Sequence, residues 1–198
     1  MGIADRKERK RQEIRKTILE AAGELFVREG IANVSMRKIA ERIEYSPTTI
    51  YLYFKDKAEL ISALVREYFE EFLEKVGTAT AALPDDPLEA IKASMRAYID
   101  FGIGNPFAYR LAFMIETQAR EGDDSGTRAF AQLHSRVEAC IAKGVFRKED
   151  PDIVANVIWS MNHGMVSLAI TRPSFPGAET GAIVDASVEA SVNAFLAR

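Results

Sequence analysis

The stretch that decides the fold runs from Ser35 to Leu60 and reads SMRKIAERIEYSPTTIYLYFKDKAEL. It begins with Ser35, whose hydroxyl can accept a backbone N–H at the start of a helix. Ile39, Ala40 and Ile43 then recur at the spacing that places apolar side chains on one helical face. The pattern predicts a first short helix that ends before Glu44.

A second short helix is predicted from Pro47 to Phe54. Ser46 is placed as its N-cap, and Pro47 takes the first helical position, where the missing N–H costs nothing. Ile50 and Phe54 lie one turn apart and can dock on the first helix. The remaining side chains of this helix stay partly free of the core, with Tyr51 between the two sets: Thr48, Thr49, Leu52 and Tyr53.

A third helix is predicted to begin at Asp56. The Asp56 carboxylate can accept the N–H of Glu59 while the Glu59 side chain reaches back, which is the pattern of a capping box. Two short helices joined by a tight turn form a helix-turn-helix, whose second helix fits the major groove of DNA.

At these residues the chain resembles the TetR family of bacterial transcriptional regulators. The family pattern is similar at Tyr51, Tyr53, Phe54 and Lys57, and the resemblance extends back through Ile14, Ala21, Ala22, Leu25, Phe26 and Gly30, so that it covers about the first sixty residues. One departure is Glu44, where the family more often has Gly in the turn. We therefore expect a left-handed backbone at Glu44, at a cost of about 1 kcal/mol.

The resemblance implies an all-α fold of about nine helices. Residues 1–57 would form a three-helix helix-turn-helix DNA-binding domain, and residues 58–198 a helical ligand-binding and dimerisation domain. The family further implies a one-component regulator in which helices between Leu60 and Lys143 enclose a ligand cavity. The last two long helices of each subunit would make a four-helix interface.

The rest of the chain shows helical periodicity and no strand with convincing alternation. The first helix should run from near Arg9 to Arg28 and stop at Gly30, and the third helix of the motif should reach about Ala82. Asp86 with Glu89 repeats the capping-box pattern. The further helices are predicted at 86–103, Phe107–Ala119, Thr127–Lys143 (ended by Gly144), Pro151–Thr171 and Glu179–Leu196.

Composition places the chain among ordinary globular proteins, with 47% hydrophobic and 28% charged residues. Its start lacks the apolar segment of a signal peptide, and no run approaches the roughly 18 apolar residues of a membrane span. A single cysteine, Cys140, excludes an internal disulfide and agrees with a reducing compartment. These features predict a cytoplasmic protein without a membrane partner.

The formal net charge is −3, but its distribution is uneven. Residues 1–57 carry thirteen Lys or Arg and nine Asp or Glu, whereas the remainder carries thirteen and twenty. Most of the positive excess lies in the first sixteen residues, where seven basic residues face three acidic ones. Two interpretations stay open here, a basic segment along DNA phosphates or a solvated, frayed terminus.

Motifs of enzymes and metal sites are missing from the sequence. It holds only His134 and His163, with no HExxH pair, no paired cysteines, no Gly-rich phosphate loop and no nucleophile elbow. We expect no catalytic residues, no metal and no cofactor.

Trp159, His163 and Gly164 are similar to the Trp, His, Gly signature of one TetR-like C-terminal domain type. In the alternative interpretation the three residues have a structural role only: the Trp fills the core, the His is hydrogen-bonded and the Gly allows close helix approach.

The candidate DNA-binding residues all lie in the helix-turn-helix. Tyr51, Tyr53 and Lys57 are predicted to contact phosphates, and Arg37, Thr48 and Thr49 to read bases, although Tyr51 could simply pack. The full set is Ser35, Arg37, Lys38, Ser46, Thr48, Thr49, Tyr51, Leu52, Tyr53 and Lys57.

The candidate ligand-binding residues are large, soft or aromatic side chains, which are more numerous than the helices need to fill a core. Such side chains suit an adaptable pocket. His163 is the expected leading polar contact, and the absence of an ionisable cluster favours a neutral or singly polar molecule. The set is Met95, Tyr98, Phe101, Tyr109, Phe113, Met114, Phe130, Trp159 and His163, with Met161 nearby.

A dimer is predicted through the last two helices. The first is apolar on more than one face, and the second carries a row of small residues, Ala182, Ala186, Ala190 and Ala194, with Val188 and Val192 expected at the interface. Taken with these patterns, the family resemblance implies a repressor that binds a palindromic double-stranded DNA operator as a homodimer and is released by a small, mostly apolar inducer. The alternative is a DNA-binding structural or recruitment protein of the same fold with no inducer.

Overall fold

The computed structural model describes residues 2–83, 85–114, 125–172, 175 and 181–197, excluding the side chains of Ile3 and Ser125. These residues form nine α-helices and a short 3₁₀-helix, Ile31–Asn33. The α-helices are α1 Ile3–Glu29, α2 Met36–Arg42, α3 Pro47–Tyr51, α4 Lys57–Thr80, α5 Pro87–Gly104, α6 Pro106–Phe113, α7 Ser125–Ala142, α8 Pro151–Thr171 and α9 Gly181–Asn193. The predicted all-α class is confirmed; within the described residues the only β pairing is an isolated bridge between Phe146 and Leu196.

Most predicted helix starts and stops are close to the observed ones. Gly30 follows α1 with φ 81°, and Gly144 follows α7 with φ 70°, positive values that glycine adopts without steric cost. α1, however, begins at Ile3 rather than near Arg9, because the charged first turns are made of good helix formers that carry no apolar period. The predicted end of α6 at Ala119 and the predicted start of α9 at Glu179 lie outside the described residues.

Two helices are shorter than predicted. α3 ends at Tyr51 instead of Phe54, since Leu52 N–H donates to Thr49 O at 3.1 Å and Tyr53 N–H to Ile50 O at 2.9 Å, which tightens the chain into turns. α9 ends at Asn193 instead of Leu196, because the following residues pair with residues 145–147.

The packing divides the chain into two compact units. The first includes the residues up to Glu67, and the second begins at Tyr68, within α4. That the DNA-binding domain ends at residue 57 and the second domain begins at residue 58 stays a prediction. The core of the first unit is formed by apolar side chains of α1 to α4, among them Ile18, Leu25, Phe26, Ile39, Ile50, Phe54 and Leu60, each at most 1% exposed.

The second unit is built around α5, which packs against α7, α8 and α9. α5 and α8 approach closely at Gly102, where a Cβ atom would lie 2.6 Å from Val166 Cγ1 and 2.9 Å from Tyr109 Cδ2. Only glycine fits at that distance. Asp86 caps α5 as predicted, its Oδ1 accepting Glu89 N–H at 3.0 Å.

The alanines of α9 lie where the sequence predicted, but the valines do not. Ala182, Ala186 and Ala190 lie on its exposed side, as expected for a free face. Val188 and Val192, predicted at the subunit interface, are instead fully buried inside the second unit. The reason is that the valines, not the alanines, supply the area that holds α9 against α5 and α8.

α8 is the most apolar long helix of the described chain. Its 21 residues meet the length and hydropathy of a membrane span, a property it shares with core helices of soluble proteins. It packs against α5, α7 and α9, yet four apolar side chains stay exposed along it: Ile153, Val157, Met161 and Leu168.

Candidate nucleic-acid interface and ligand cavity

Side-chain caps define the starts of the three helices of the motif. Ser35 Oγ accepts Lys38 N–H at 3.2 Å, Ser46 Oγ accepts Thr49 N–H at 3.1 Å, and Asp56 Oδ1 accepts Glu59 N–H at 2.7 Å. The three predicted caps are therefore confirmed. The Glu59 carboxylate reaches back to accept Lys55 N–H at 2.9 Å.

The turn between α2 and α3 contains Glu44 with φ 60°. This value lies in the left-handed region and confirms the expectation drawn from the missing glycine. The turn is closed by Tyr45 N–H, which donates to Ala40 O at 3.0 Å.

α3 exposes one face and buries the other. Ile50 is fully buried and Phe54 is 1% exposed, as predicted, so that the opposite face is turned to solvent. Tyr51 is 53% exposed and Leu52 72%, and Thr48 is exposed beside them. An exposed Tyr51 does not fit the alternative in which it only packs.

Two predicted residues of the motif are more constrained. Thr49 is half-buried, and its hydroxyl lies 2.9 Å from Ser46 Oγ, so part of its role is to close the start of α3. Tyr53 is also half-buried. Ser35 and Ser46 are exposed, although both hydroxyls already accept a backbone N–H.

The three basic residues predicted to contact DNA are not equally free. Arg37 is 80% exposed and pairs with Glu41, at 2.9 Å one turn away. Lys38 forms an ion pair with Glu29, which lowers the pKa of that carboxyl.

Lys57 is the most constrained of the three. Its ammonium donates to the Ile31 carbonyl and lies 5.8 Å from the centre of the Phe26 ring. Burial lowers the pKa of Lys57. One of its three N–H donors is therefore used inside the first unit.

Sequence reasoning missed two exposed residues that flank α3. Tyr45 in the preceding turn is 39% exposed, and Lys55 after α3 is exposed. Both lie in the turns of the motif, where the sequence analysis gave weight only to caps and helix breakers.

The second unit contains a cavity of about 540 Å³ that is partly open to solvent. It is lined by residues of α4 to α8, and five predicted ligand-binding residues are among them: Met95, Tyr98, Phe113, Phe130 and Trp159. The volume falls in the range of sites for small organic molecules and far exceeds an ordinary packing defect.

The other four predicted ligand-binding residues do not line this cavity: Phe101, Tyr109, Met114 and His163. His163 Nδ1 lies 2.6 Å from Tyr109 Oη, and Tyr109 Oη lies 2.8 Å from Tyr98 Oη. His163 thus reaches the cavity wall through these two tyrosines and through ring contacts with Phe113 at 5.6 Å and Trp159 at 5.7 Å, and burial lowers its pKa. Burial also raises the pKa of Tyr98 to about 12.

The polar part of the lining was not predicted. It includes Ser94, Gln132, Arg136, Asn156 and Asn162. Asn162 is 3% exposed, and its Oδ1 has no hydrogen-bond partner among the described residues. A usable signal was present, since Gln132 with Arg136 and Asn156 with Asn162 interrupt apolar helical stripes.

Clusters suited to metal binding are absent from the described residues, in which no group of three or more His, Cys, Asp or Glu side chains could hold an ion.

Comparisons with known proteins give two family matches along the chain. Residues 18–64 match the model of bacterial regulatory proteins of the tetR family, and residues 91–195 match a tetracyclin repressor-like C-terminal domain. The narrower resemblance carried by Trp159, His163 and Gly164 stays a prediction.

The chain is similar to the transcriptional activator FasR of Mycolicibacterium smegmatis, with 28% identity over 134 residues, which are 64% of this chain and 61% of FasR. It spans between half and three-fifths of the length of the curated relatives it matches. A tetR-family regulator of Rhodococcus RHA1 has a similar fold, with a TM-score of 0.77 and 21% identity over 93% of this chain and 98% of that one.

SmeT, the repressor of the Stenotrophomonas maltophilia multidrug efflux pump SmeDEF, also shares the fold, with a TM-score of 0.72 and 20% identity over 92% of this chain and 90% of SmeT. The helix-turn-helix, the separate helical unit and the two family matches lead to one conclusion: the chain belongs to the TetR family of DNA-binding transcriptional regulators.

Proposed function

We propose that the protein is a cytoplasmic, homodimeric repressor that binds a roughly palindromic DNA operator and leaves it when a small, mostly apolar molecule enters the cavity. The observation that carries this proposal is the cavity of about 540 Å³ in the second unit of a helix-turn-helix protein. A structural or recruitment protein would need no such pocket, whereas a concave site lined mainly by apolar and aromatic side chains with a few polar groups is typical of small-molecule binding.

The DNA contacts are proposed from the exposed face of the motif. Thr48 and Arg37 are the leading candidates to read bases, and Tyr51 and Tyr53 to contact phosphates. Thr49 is a weaker base reader than the sequence predicted, because its hydroxyl is 2.9 Å from that of Ser46. Lys57 donates one N–H to the Ile31 carbonyl and keeps its other N–H donors for a phosphate.

The dimer is proposed through the exposed faces of α8 and α9. Ile153, Val157, Met161 and Leu168 recur every four to seven residues along α8, which is the spacing of a helix–helix seam. The exposed alanines of α9 would allow a second copy to approach closely. Two-fold symmetry then requires two operator half-sites separated by about one turn of DNA or more.

The switch is proposed to act through α4. This helix supplies Lys57 at its first residue, and Phe69, Phe72 and Val76 to the cavity lining. A ligand that prefers the conformation with wrongly spaced recognition helices by about 1 to 3 kcal/mol would weaken DNA binding roughly 5- to 150-fold.

The direction of regulation has a second candidate. FasR is named as an activator, whereas SmeT is described as a repressor. We retain repression as the proposal, and in vitro transcription from a bound promoter distinguishes the two by the sign of its change.

The test begins with selection of DNA by the purified protein from a random pool. We expect an inverted repeat, and we expect neutral and singly charged apolar compounds that raise the melting temperature to release that DNA in a gel-shift assay. Selected fragments without symmetry would contradict the dimeric operator. Compounds that bind without any change in DNA affinity would favour the inducer-free alternative.

A further inference from the structure

We infer that the cavity takes an elongated apolar monocarboxylate, with its carboxylate on Arg136. This inference names the class of ligand for the cavity and therefore rests on the proposed ligand-binding function. It also replaces the expectation from sequence that a neutral or singly polar molecule fits best.

Arg136 lines the cavity from α7 and is half-buried. One terminal nitrogen donates to the Gln132 carbonyl at 2.9 Å and lies 3.4 Å from Gln132 Oε1, and the other donates to Thr80 Oγ1 at 3.2 Å. All three partners are neutral. Because an arginine carries five N–H donors, the guanidinium keeps free donors beside these bonds.

A carboxylate partner for Arg136 is missing from the described part of the chain, where its bonds go only to Gln132 and Thr80. Burial lowers the pKa of Arg136. A half-buried cation without a counter-ion is unfavourable, and an anion that enters the cavity would remove this cost.

Arg136 marks one end of the cavity. At the other end, a Cβ atom at Gly126 of α7 would lie 3.5 Å from the Phe69 ring of α4, whereas Arg136 of α7 donates to Thr80 of α4. Because the later residue of α7 contacts the later residue of α4, the two helices run in the same direction along the cavity. Arg136 follows Gly126 by ten residues, which is about 15 Å along a helix. The cavity is therefore elongated, with its cation near one end.

The walls beyond Arg136 suit a hydrocarbon chain. Phe72, Phe130, Leu133 and Trp159 line it, and the Phe130 and Trp159 rings are 6.1 Å apart and nearly perpendicular. Arg136 is the sole Lys or Arg among the described lining residues, so a single charge is matched. A planar carboxylate accepts two parallel N–H bonds from guanidinium, a geometry that an alcohol or an amide does not offer.

The experiment compares decanoate with decanol and decanamide, all below their aggregation limits, by calorimetric titration of the full-length protein. We expect decanoate to bind at least 10-fold more tightly than either neutral compound. Arg136→Gln should weaken decanoate about 10- to 100-fold, as expected for the removal of a charge-assisted hydrogen bond, and leave decanol within about threefold.

Arg128→Gln is the matched control, since Arg128 lies on the same helix but is exposed and pairs with Glu70. It should leave the preference for decanoate unchanged. Arg136→Lys should recover part of the affinity because it keeps the charge but lacks the planar fork. Melting temperatures of all three variants confirm that each is folded.

Equal binding of decanoate and decanol, or an unchanged preference in Arg136→Gln, would overturn the inference. The proposed switch is judged separately by DNA release. If neutral compounds release DNA without an Arg136-dependent preference, the inference fails and the switch stands. If decanoate binds through Arg136 and the DNA stays bound, the ligand class stands and the switch fails.

Discussion

Glu44 is the residue at which the backbone departs from what its side chain prefers. Its φ of 60° lies in a region where a Cβ atom crowds the following carbonyl, and glycine has no Cβ. The helix-turn-helix is therefore built with a local strain of about 1 kcal/mol.

Replacing Glu44 by Gly should relieve this strain. We expect Glu44→Gly to raise the free energy of unfolding by about 0.5 to 1 kcal/mol, measured by urea denaturation. Glu41→Gly, inside α2, is the control and should lower it by about 1 kcal/mol, because there glycine loosens a helix and removes the exposed ion-pair partner of Arg37. A less stable Glu44→Gly protein would mean that the Glu44 side chain contributes more than the strain removes.

The success of sequence reasoning at single residues depended on how far apart the partners are. The caps at Ser35, Ser46 and Asp56 bind N–H groups three residues away, so the sequence alone predicts them. Lys57 binds Ile31 and His163 binds Tyr109, which are distant in the chain. Such partners are defined only by tertiary packing, which local patterns do not contain.

At the scale of elements, α8 and α9 each present one buried and one exposed face. Val188 and Val192 of α9 are buried in the protomer, so aspartates there would disrupt the fold before they disrupted a dimer. The informative positions are Val157, which is 39% exposed, and Ala186, which is exposed.

We expect Val157→Asp with Ala186→Asp to give folded monomers in sedimentation velocity, with dimer affinity lowered at least 100-fold, because the interface would bury unpaired charges. Operator binding should weaken with it. Ala139→Asp on the exposed side of α7 is the control and should remain dimeric. A double variant with an unchanged sedimentation coefficient would place the interface elsewhere.

Helical periodicity was enough to locate the elements but not to assign their faces. The pattern of α9 offers both alanines and valines at helical spacing, and only the packing of α5 and α8 against it decides which set is inside. In the same way, the period of α7 predicts a buried stripe but not that Arg136 next to it faces a cavity. Cavities arise where several elements fail to fill a space, and a single helix does not encode that.

At the scale of the whole molecule, the uneven charge predicts how DNA binding responds to salt. The first helix carries exposed Arg6, Lys7 and Lys10, and the structure continues it as a helix down to Ile3. If these charges lie along phosphates, neutralising one of them should reduce the steepness of log affinity against log salt by about 0.9.

The triple variant Arg6→Gln, Lys7→Gln, Lys10→Gln should weaken binding to every DNA sequence alike and reduce the salt slope by about 1 to 3. Its control replaces Lys75, Lys143 and Lys148 of the second unit by Gln, which changes net charge equally. Equal slopes for the two variants would show that the first turns of α1 are solvated rather than bound.

Gly102 carries a consequence for how this protein tolerates mutation. Any side chain there would collide with Val166 and with Tyr109, the tyrosine that holds His163. In a random library selected for function, position 102 should return as glycine with the stringency usually seen at binding residues, although it lies in neither the recognition surface nor the cavity lining. An invariant glycine at this position would reflect the close approach of two helices and should not be interpreted as evidence of a binding residue.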